Sequence, residues 1–389
     1  MIVLLEPQCK DWEHNRVNSE LIRQFKAAFP NDELKLFADE KHNKNISALL
    51  SQYSIQIEYE NIDIFDYHGK NEEKVDDYEA MIEAVLDRCK NIQKIVFLSC
   101  NKGILLALGR VARRFPKVSF ICVFHSAMEE VCIESRKKTI KQFVYEALWT
   151  VVNMKRIPEE EKSISMRECI ASCNVENCRF VIYSPCFREV LSKYLSESIL
   201  NKIYFLHHPF YDSCIENSVK SDERTIIGLY GQALNDNARK LIKLFNKKFD
   251  NSKVLFKVKT KQSDPILEEK NVERLFEMDY VSNEELEEAI SKFDYILIPY
   301  DNNQYRVTAS GIFCDAVSQG VPAMTLSSPY FKYYDKYGAV IVETSIGRLA
   351  RKIKTVSEYK STRNRIVTKE KELKARAFQD NIETLRTIV

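Results

Sequence analysis

Residues 293–322 constrain the fold of this chain more than any other stretch, because a strand, a polar loop and a helix follow one another there. The run from Phe293 to Pro299 is apolar, rich in β-formers and too short for a globular helix, which predicts a buried parallel strand. A helical pattern begins at Thr308, and Gly320 is expected to end it. This order predicts one strand–helix unit of a parallel sheet.

The start of that helix has the residues of an anion site. Ser310 and Gly311 fall in its first turn, where free N–H groups and the positive end of the helix dipole attract phosphate, and glycine permits close approach. Asp315 lies one turn further on, where a carboxylate can accept hydrogen bonds from ribose hydroxyls. An ordinary strand–helix corner explains the same pattern, so the assignment depends on the rest of the chain.

Strands and helices alternate along most of the chain, and the alternation restarts after a polar stretch at residues 212–224. The other predicted strands are Ile2–Leu5, Leu34–Ala38, Ile55–Tyr59, Lys94–Ser99, Val118–Phe124, Arg179–Ser184, Ile203–Leu206, Thr225–Tyr230, Val254–Val258, Val321–Leu326 and Ala339–Val342. The other predicted helices are Asn15–Phe29, Val75–Cys89, Gly103–Phe115, Met128–Met154, Asn235–Phe249, Glu284–Lys292, Pro329–Tyr337, Ser345–Val356 and Arg363–Leu385. This pattern predicts an α/β protein with two Rossmann-like domains facing a cleft, since 389 residues exceed one typical core.

Composition excludes several classes of protein. A net charge of +2 at pH 7 argues against a general nucleic-acid binder, and no run approaches the roughly 20 apolar residues of a membrane helix. Met1–Leu5 resembles a first strand rather than a signal peptide, so we expect the eleven cysteines to be reduced thiols of a cytoplasmic protein. Four of them cluster in sequence without a Cys-x-x-Cys pair, which favours core or surface thiols over a zinc site.

The second half resembles a GT-B glycosyltransferase and is close in pattern to glycosyltransferase family 4. The residues that carry the resemblance are Gly228-Leu-Tyr-Gly231, Ser282-Asn-Glu-Glu-Leu286, Ser310-Gly-Ile-Phe-Cys-Asp-Ala316 and Gly320-Val-Pro322. The likeness covers residues 203–358, and the first half shares only the order of its elements. The family pattern has a glutamate at each of two positions, which here hold Val307 and Asp315.

The resemblance implies where the substrates bind. A nucleotide sugar would bind the C-terminal domain (207–362), and a glycan or lipid-linked acceptor would bind the N-terminal domain (1–206). The last segment (363–389) would form a helix that packs back on the first domain. Such enzymes usually need no metal, and we predict neither a metal site nor a cofactor.

Departure of the diphosphate needs stabilisation, because negative charge grows on it in the transition state. Arg306 beside the loop and Lys259 after its strand are candidate catalytic cations, with a solvated loop arginine and an exposed strand edge as the alternatives. The main chain near Tyr280 is expected to hold the base. The predicted donor-binding residues are Gly231, Gln232, Tyr280, Ser310, Gly311 and Asp315.

Histidines mark the acceptor side. His125 ends an apolar strand of the first half and is the predicted general base for the acceptor hydroxyl, with a loop histidine bound to backbone as the alternative. His14 and Asn18 follow the first strand and are predicted acceptor-side residues, in contact with the acceptor or the donor sugar. For His207 and His208, next to Pro209, a structural role at the hinge is favoured over catalysis.

The basic segment 136–156 predicts either a helix on an anionic membrane surface or a helix packed on the sheet. On the membrane interpretation the acceptor is lipid-linked, as in the assembly of a bacterial surface polysaccharide. Two other functions remain open: a nucleotide-sugar 2-epimerase of the same fold, and an inactive subunit that binds nucleotide sugar without turnover.

Overall fold

The structure is a computed structural model that describes most of the chain. The described residues are 1–64, 74–133, 164–212, 223–250, 252–278, 281–300, 305–358 and 361–388. Within these ranges strands and helices alternate and form two parallel sheets. This confirms the α/β fold class predicted from the sequence.

The first sheet contains seven strands in the described residues. They are β1 (Ile2–Leu5), β2 (Leu34–Ala38), β3 (Glu58–Asn61), β4 (Lys94–Phe97), β5 (Ser119–Phe124), β6 (Cys178–Tyr183) and β7 (Ile203–Leu206). Its helices are α1 (Asn15–Ala28), α2 (Glu40–Ser51), α3 (Val75–Arg88), α4 (Lys102–Arg114), α5 (Glu129–Ile133), α6 (Met166–Ser172), α7 (Phe187–Leu191) and α8 (Glu197–Leu200). The spatial order β3-β2-β1-β4-β5-β6-β7 reverses beside β1, so a crevice opens between the loops that follow β1 and β4.

The second sheet contains six strands in the described part of the chain. They are β8 (Thr225–Leu229), β9 (Val254–Val258), β10 (Val272–Arg274), β11 (Tyr295–Ile298), β12 (Ala323–Leu326) and β13 (Val340–Glu343). Its helices are α9 (Asp236–Lys248), α10 (Asn283–Ser291), α11 (Gly311–Gln319), α12 (Pro329–Asp335) and α13 (Ile346–Glu358). The order β10-β9-β8-β11-β12-β13 reverses beside β8, which places a second crevice after β8 and β11.

Burial explains why these strands could be predicted from the sequence. Every residue of β1 and β11 is buried, since helices cover both faces of each sheet, and such strands form continuous apolar runs. In β8, a Cβ at Gly228 would overlap the ring of Phe293, so the first glycine of the Gly228–Gly231 motif makes room for that ring.

Several predicted elements differ from the structure. The strand expected at Ile55–Tyr59 lies at Glu58–Asn61, because pairing with β2 sets Glu58 opposite Lys35. Helix α2 was not predicted, and Asp39 caps it by accepting hydrogen bonds from Lys41 N and His42 N. Of the long helix predicted at Met128–Met154, residues 134–154 lie outside the described ranges.

The last helix, α14 (Ser361–Thr387), returns to the first half of the chain and packs on α1 and β7. Asn381 ties it to the hinge, accepting a hydrogen bond from His207 N (2.7 Å) and donating to His207 O (3.0 Å). This confirms the predicted crossing and gives His207 a structural role. The division of the chain at residue 207 stays a prediction. None of the helices within the described ranges is long and apolar enough to cross a bilayer.

Glu370 on α14 predicts an unusual pH dependence of stability. It is fully buried, neither carboxylate oxygen has a partner among the described residues, and burial raises its pKa well above the ordinary value although Arg363 lowers it. A raised folded-state pKa stabilises the protein at low pH, and that contribution is lost as the pH rises from the unfolded pKa through the folded pKa.

We therefore expect Glu370→Gln to raise the Tm at pH 8 by at least about 2 °C and to reduce its fall between pH 5 and 8. Differential scanning calorimetry at both pH values is the measurement. Glu372→Gln is the control, because Glu372 is exposed and pairs with Lys369 at 2.7 Å. Equal pH dependence in wild type and Glu370→Gln would show that Glu370 is not protonated in the folded state.

Candidate functional site

A buried carboxylate at the end of β1 organises the first crevice. Glu6 Oε1 accepts hydrogen bonds from Gln8 N and Cys9 N, both at 3.0 Å, and from Ser99 Oγ beyond β4. Glu6 Oε2 accepts from Asn18 Nδ2 at 2.9 Å. The network ties together the loops after β1 and β4. Sequence reasoning missed Glu6, although a charged residue directly after an apolar strand was a usable signal.

Asn18 has no exposed surface. Besides Glu6, its amide contacts His42 Nε2 at 3.2 Å. Its side chain therefore supports the loop after β1 and does not face an acceptor, which corrects the prediction made from the sequence. Its position on α1 points it at the carboxylate of Glu6, a long-range contact that helical spacing alone does not reveal.

Three histidines and a tyrosine form a row above the first sheet. The ring centroids of His14 and His125 are 4.5 Å apart, those of His125 and Tyr183 are 5.3 Å apart, and those of Tyr183 and His208 are 5.2 Å apart. His14 is exposed, and its left-handed backbone (φ 51°) begins α1. The predicted acceptor-side residues His14 and His125 therefore lie together, and their contact with an acceptor stays a prediction.

The surroundings of His125 favour the neutral imidazole. Burial lowers its pKa well below the ordinary value, and the nearby charges of His14 and His208 lower it further. His125 Nε2 lies 2.8 Å from Leu98 O. Because a carbonyl oxygen only accepts hydrogen bonds, Nε2 carries the proton and Nδ1 keeps a lone pair that can accept one. Burial likewise lowers the pKa of His208 to about 3.

The second crevice brings two glycines to the cleft. Gly231 follows β8, is exposed and has a left-handed φ of +54°, which glycine adopts without strain. A methyl group there would lie 3.4 Å from Ile312 Cδ1, so this loop touches the first turn of α11. Gly311, the first residue of α11, is exposed, and a Cβ there would meet nothing within 4 Å. Gln232 is also exposed.

Ser310 caps α11 and is not part of its first turn. Its backbone is extended, its Oγ accepts a hydrogen bond from Phe313 N at 3.2 Å, and only 2% of the residue is exposed. The helix therefore begins at Gly311 and not at Thr308. The Ser310 side chain therefore serves as the N-cap, and binding of phosphate by the main-chain amides of Ser310 and Gly311 stays a prediction.

Asp315 is held by two tyrosines. Its Oδ1 accepts a hydrogen bond from Tyr211 OH (2.9 Å) and its Oδ2 accepts one from Tyr230 OH (3.2 Å). Burial raises the pKa of Asp315, and the two tyrosine hydroxyls and Arg16 lower it. A carboxylate has about four acceptor positions, so two remain for a ligand. The predicted contact with ribose stays a prediction.

The candidate cations have different environments. The guanidinium of Arg306, in the second half of the chain, donates a hydrogen bond to Tyr194 OH of the first half at 3.3 Å. Lys259 follows β9, is partly buried and has no ion pair to a described residue, whereas Lys257 pairs with Glu273 at 2.6 Å. Of these two lysines, Lys259 is therefore the better candidate for the cation that balances the charge of a diphosphate.

Two predicted regions cannot be placed. Tyr280, predicted near the base, lies outside the described residues, and so does the whole of segment 136–156.

Cys169, Cys173 and Cys178 are buried free thiols and Cys186 is partly buried, as the core-thiol interpretation predicts. Among the described residues no group of three or more His, Cys, Asp or Glu side chains has a metal-binding arrangement.

Solved structures share this architecture over nearly the whole chain. A sucrose-phosphate synthase from Thermosynechococcus elongatus has a TM-score of 0.61 at 11% identity, covering 99% of this chain and 96% of its own. HepE from Anabaena, solved in complex with UDP and glucose, has a TM-score of 0.59 at 12% identity over 99% of each chain. A UDP-N-acetylglucosamine 2-epimerase has a TM-score of 0.53 at 10% identity, covering 94% of this chain and 90% of its own.

No protein-family model matches the sequence, and no curated protein sequence matches it. At identities this low, structural likeness shows the fold alone. The specific likeness to glycosyltransferase family 4 therefore stays a prediction. The chain has the GT-B fold, in which two Rossmann-like units face one cleft.

Proposed function

We propose that this chain is a glycosyltransferase that moves a sugar from a nucleotide-sugar donor to an acceptor hydroxyl. The observation that carries the proposal is a direct contact between the loop of His125 and the loop before α11. Glu129, shortly after His125, accepts hydrogen bonds from Arg306 N and Val307 N at 2.9 Å. A neutral histidine and an exposed helix start therefore belong to two loops that meet at one cleft, as sugar transfer requires.

The proposed reaction uses these groups in one displacement. The acceptor oxygen forms a bond to the sugar carbon, the bond from that carbon to the diphosphate oxygen breaks, and the acceptor proton moves to His125 Nδ1. Main-chain N–H groups at Gly231 and Gly311 bind the departing diphosphate, and Arg306 and Lys259 balance its charge. Asp315 accepts hydrogen bonds from ribose. No metal takes part in this proposal.

The first test is a thermal-shift screen of the full chain with UDP, GDP, ADP, CDP and dTDP, followed by turnover assays with sugars of the nucleotide that binds. A ligand that binds only the folded state at 100 times its Kd adds about 2.7 kcal/mol of stability, so one nucleotide should raise the Tm. No shift with any nucleotide would contradict the proposal. Binding without transfer to any acceptor would favour an inactive nucleotide-sugar-binding subunit.

The pKa of His125 predicts the pH profile of transfer. A general base must be unprotonated, and burial lowers the pKa of His125 below its ordinary value of about 6.5. We expect kcat to be flat from pH 7 to 8 and to fall only as the pH drops through a value below about 6.5. Steady-state kinetics between pH 4.5 and 8.5 measures this, and an acid limb centred above pH 7 would contradict the assignment.

The row of histidines favours a second candidate function, a nucleotide-sugar 2-epimerase. His14, His125 and His208 lie together above the first sheet, and Glu6 lies at the same edge. Such acid and base groups suit proton transfer at a sugar carbon. A solved UDP-N-acetylglucosamine 2-epimerase shares the fold. Isomerised nucleotide sugar formed without an acceptor, detected by NMR, would select this candidate over the transferase.

A lipid-linked acceptor at a membrane surface belongs to the proposal, with bacterial surface polysaccharide as the product class. It rests on the basic sequence of residues 136–156. We expect the protein to float with liposomes containing anionic lipid, and not with neutral ones. Changing Arg136, Lys137, Lys138 and Lys141 to glutamine should abolish flotation, and flotation unaffected by that change would contradict the membrane interpretation.

A further inference from the structure

Glu129 joins the two walls of the cleft. It is the first residue of α5 and lies four residues after His125, which directly follows β5. Its two carboxylate oxygens accept hydrogen bonds from Arg306 N at 2.9 and 3.1 Å. One of them also accepts from Val307 N at 2.9 Å and from Thr308 Oγ1 at 3.2 Å. Three consecutive donors of the second half thus converge on one side chain of the first half.

The hydrogen bonds that Glu129 accepts are stronger than hydrogen bonds between neutral groups. Hydrogen bonds to a carboxylate are shorter and about twice as strong as bonds between neutral groups. The side chain of Val307 is only 1% exposed, so its main-chain N–H has little access to water. Removal of the carboxylate would leave that N–H without a partner, which costs more than the loss of a solvated bond. The loop before α11 therefore depends on Glu129 for its position.

Further contacts hold the loop between the Glu129 contact and the start of α11. Tyr305 stacks on Tyr300 with ring centroids 4.1 Å apart. Ser310 Oγ donates to Tyr300 OH at 3.4 Å and caps the helix that Gly311 begins. On the other side, the bond to Leu98 O holds the ring of His125. A single carboxylate therefore links the histidine loop to the exposed amide at the start of α11.

We propose that Glu129 is a positioning residue, which holds the loop 305–310 of the donor side against the His125 loop of the acceptor side. It acts through the main chain of Arg306 and Val307, and so sets the distance between the general base and the groups that bind the departing diphosphate. Residue 307 is a valine and has no carboxylate of its own. The carboxylate of Glu129, from the other side of the cleft, accepts a hydrogen bond from the main-chain N–H of Val307. This inference rests on the proposed function for its catalytic consequence.

The first experiment measures the contact itself, without any substrate. Hydrogen exchange followed by mass spectrometry should show the amides of Arg306 and Val307 exchanging at least about tenfold faster in Glu129→Ala than in wild type, as loss of a bond to a charged group predicts. Glu130→Gln is the matched control, because that neighbouring acid pairs with Lys102 at 2.8 Å and does not reach the loop. Unchanged exchange in Glu129→Ala would overturn the proposal.

The second experiment separates positioning from general stability. With the nucleotide sugar that the thermal-shift screen identifies, Glu129→Gln should lower kcat by about 100-fold, the cost of a small misplacement, while its KM and Tm change little. Glu129→Asp should recover part of the rate. A wild-type kcat in Glu129→Gln would overturn the proposal. Tighter binding of the identified nucleoside diphosphate with faster turnover would also overturn it, since Glu129 would then only compete with the diphosphate.

The two experiments keep this inference apart from the proposed function. If no nucleoside diphosphate binds the wild-type protein, the transferase proposal fails, and the positioning role in transfer fails with it. The exchange result still decides whether Glu129 holds the loop. If nucleotides bind and sugar is transferred but the Glu129 variants behave as wild type, only the inference fails.

Discussion

Replacement of His125 by alanine is expected to lower kcat by at least about 100-fold, the usual contribution of a positioned general base. The bond from Nε2 to Leu98 O (2.8 Å) fixes the tautomer, and burial lowers the pKa so that the imidazole is neutral near pH 7. Steady-state kinetics with the identified nucleotide sugar measures the loss.

Nucleotide binding should survive this substitution, because His125 belongs to the acceptor side of the cleft. Calorimetric titration with the nucleoside diphosphate is therefore the control, and its Kd should equal that of wild type. Added imidazole should restore part of the rate if the missing group is a base. A His125→Ala protein that retains wild-type kcat would exclude the general-base role.

The second large effect is expected at Asp315. Asp315→Ala should raise the Kd of the nucleoside diphosphate at least about tenfold, because hydrogen bonds from ribose hydroxyls to a carboxylate contribute about 1.5–3 kcal/mol. The substitution also leaves the hydroxyls of Tyr211 and Tyr230 without their acceptor. Some loss of Tm should therefore accompany the weaker binding.

Two variants separate the ribose contact from this loss of support. Tyr211→Phe and Tyr230→Phe each remove one hydroxyl that holds Asp315 but keep the carboxylate, so each should raise the Kd less than Asp315→Ala does. Calorimetric titration of all three variants gives the comparison. An unchanged Kd in Asp315→Ala would show that Asp315 does not bind ribose.

Much of the fold could be predicted because its signals are local. Strands such as β1 and β11 are buried on both faces and therefore appear as short apolar runs. Gly320 ends α11 with the left-handed backbone that its position in the sequence predicts. The two sheets follow from the same local alternation, repeated once along the chain.

The site was harder to predict because its contacts are long-range. Glu129 binds a loop far along the chain, and Arg16 of α1 forms an ion pair with Glu287 of α10. Each is a charged residue on a short or amphipathic helix, and nothing local distinguishes it from a solvated one. Asn18 was misassigned for the same reason, since its partner Glu6 comes from the loop after β1.

One error had a local signal. A serine directly before a helix is the usual N-cap, and the three residues of the helical pattern before Gly311 belong to the loop. The predicted anion site keeps the main-chain amides of Gly311 and Gly231, and Ser310 supports them as the N-cap of α11.

The central claim is that the start of α11 and the loop after β8 bind a diphosphate. A crystal structure of the full chain with the nucleoside diphosphate that most raises its Tm tests this most directly. We predict phosphate oxygens within hydrogen-bonding distance of Gly311 N and Gly231 N, with ribose hydroxyls on Asp315. A nucleotide bound elsewhere, or with its phosphates turned away from α11, would contradict the account.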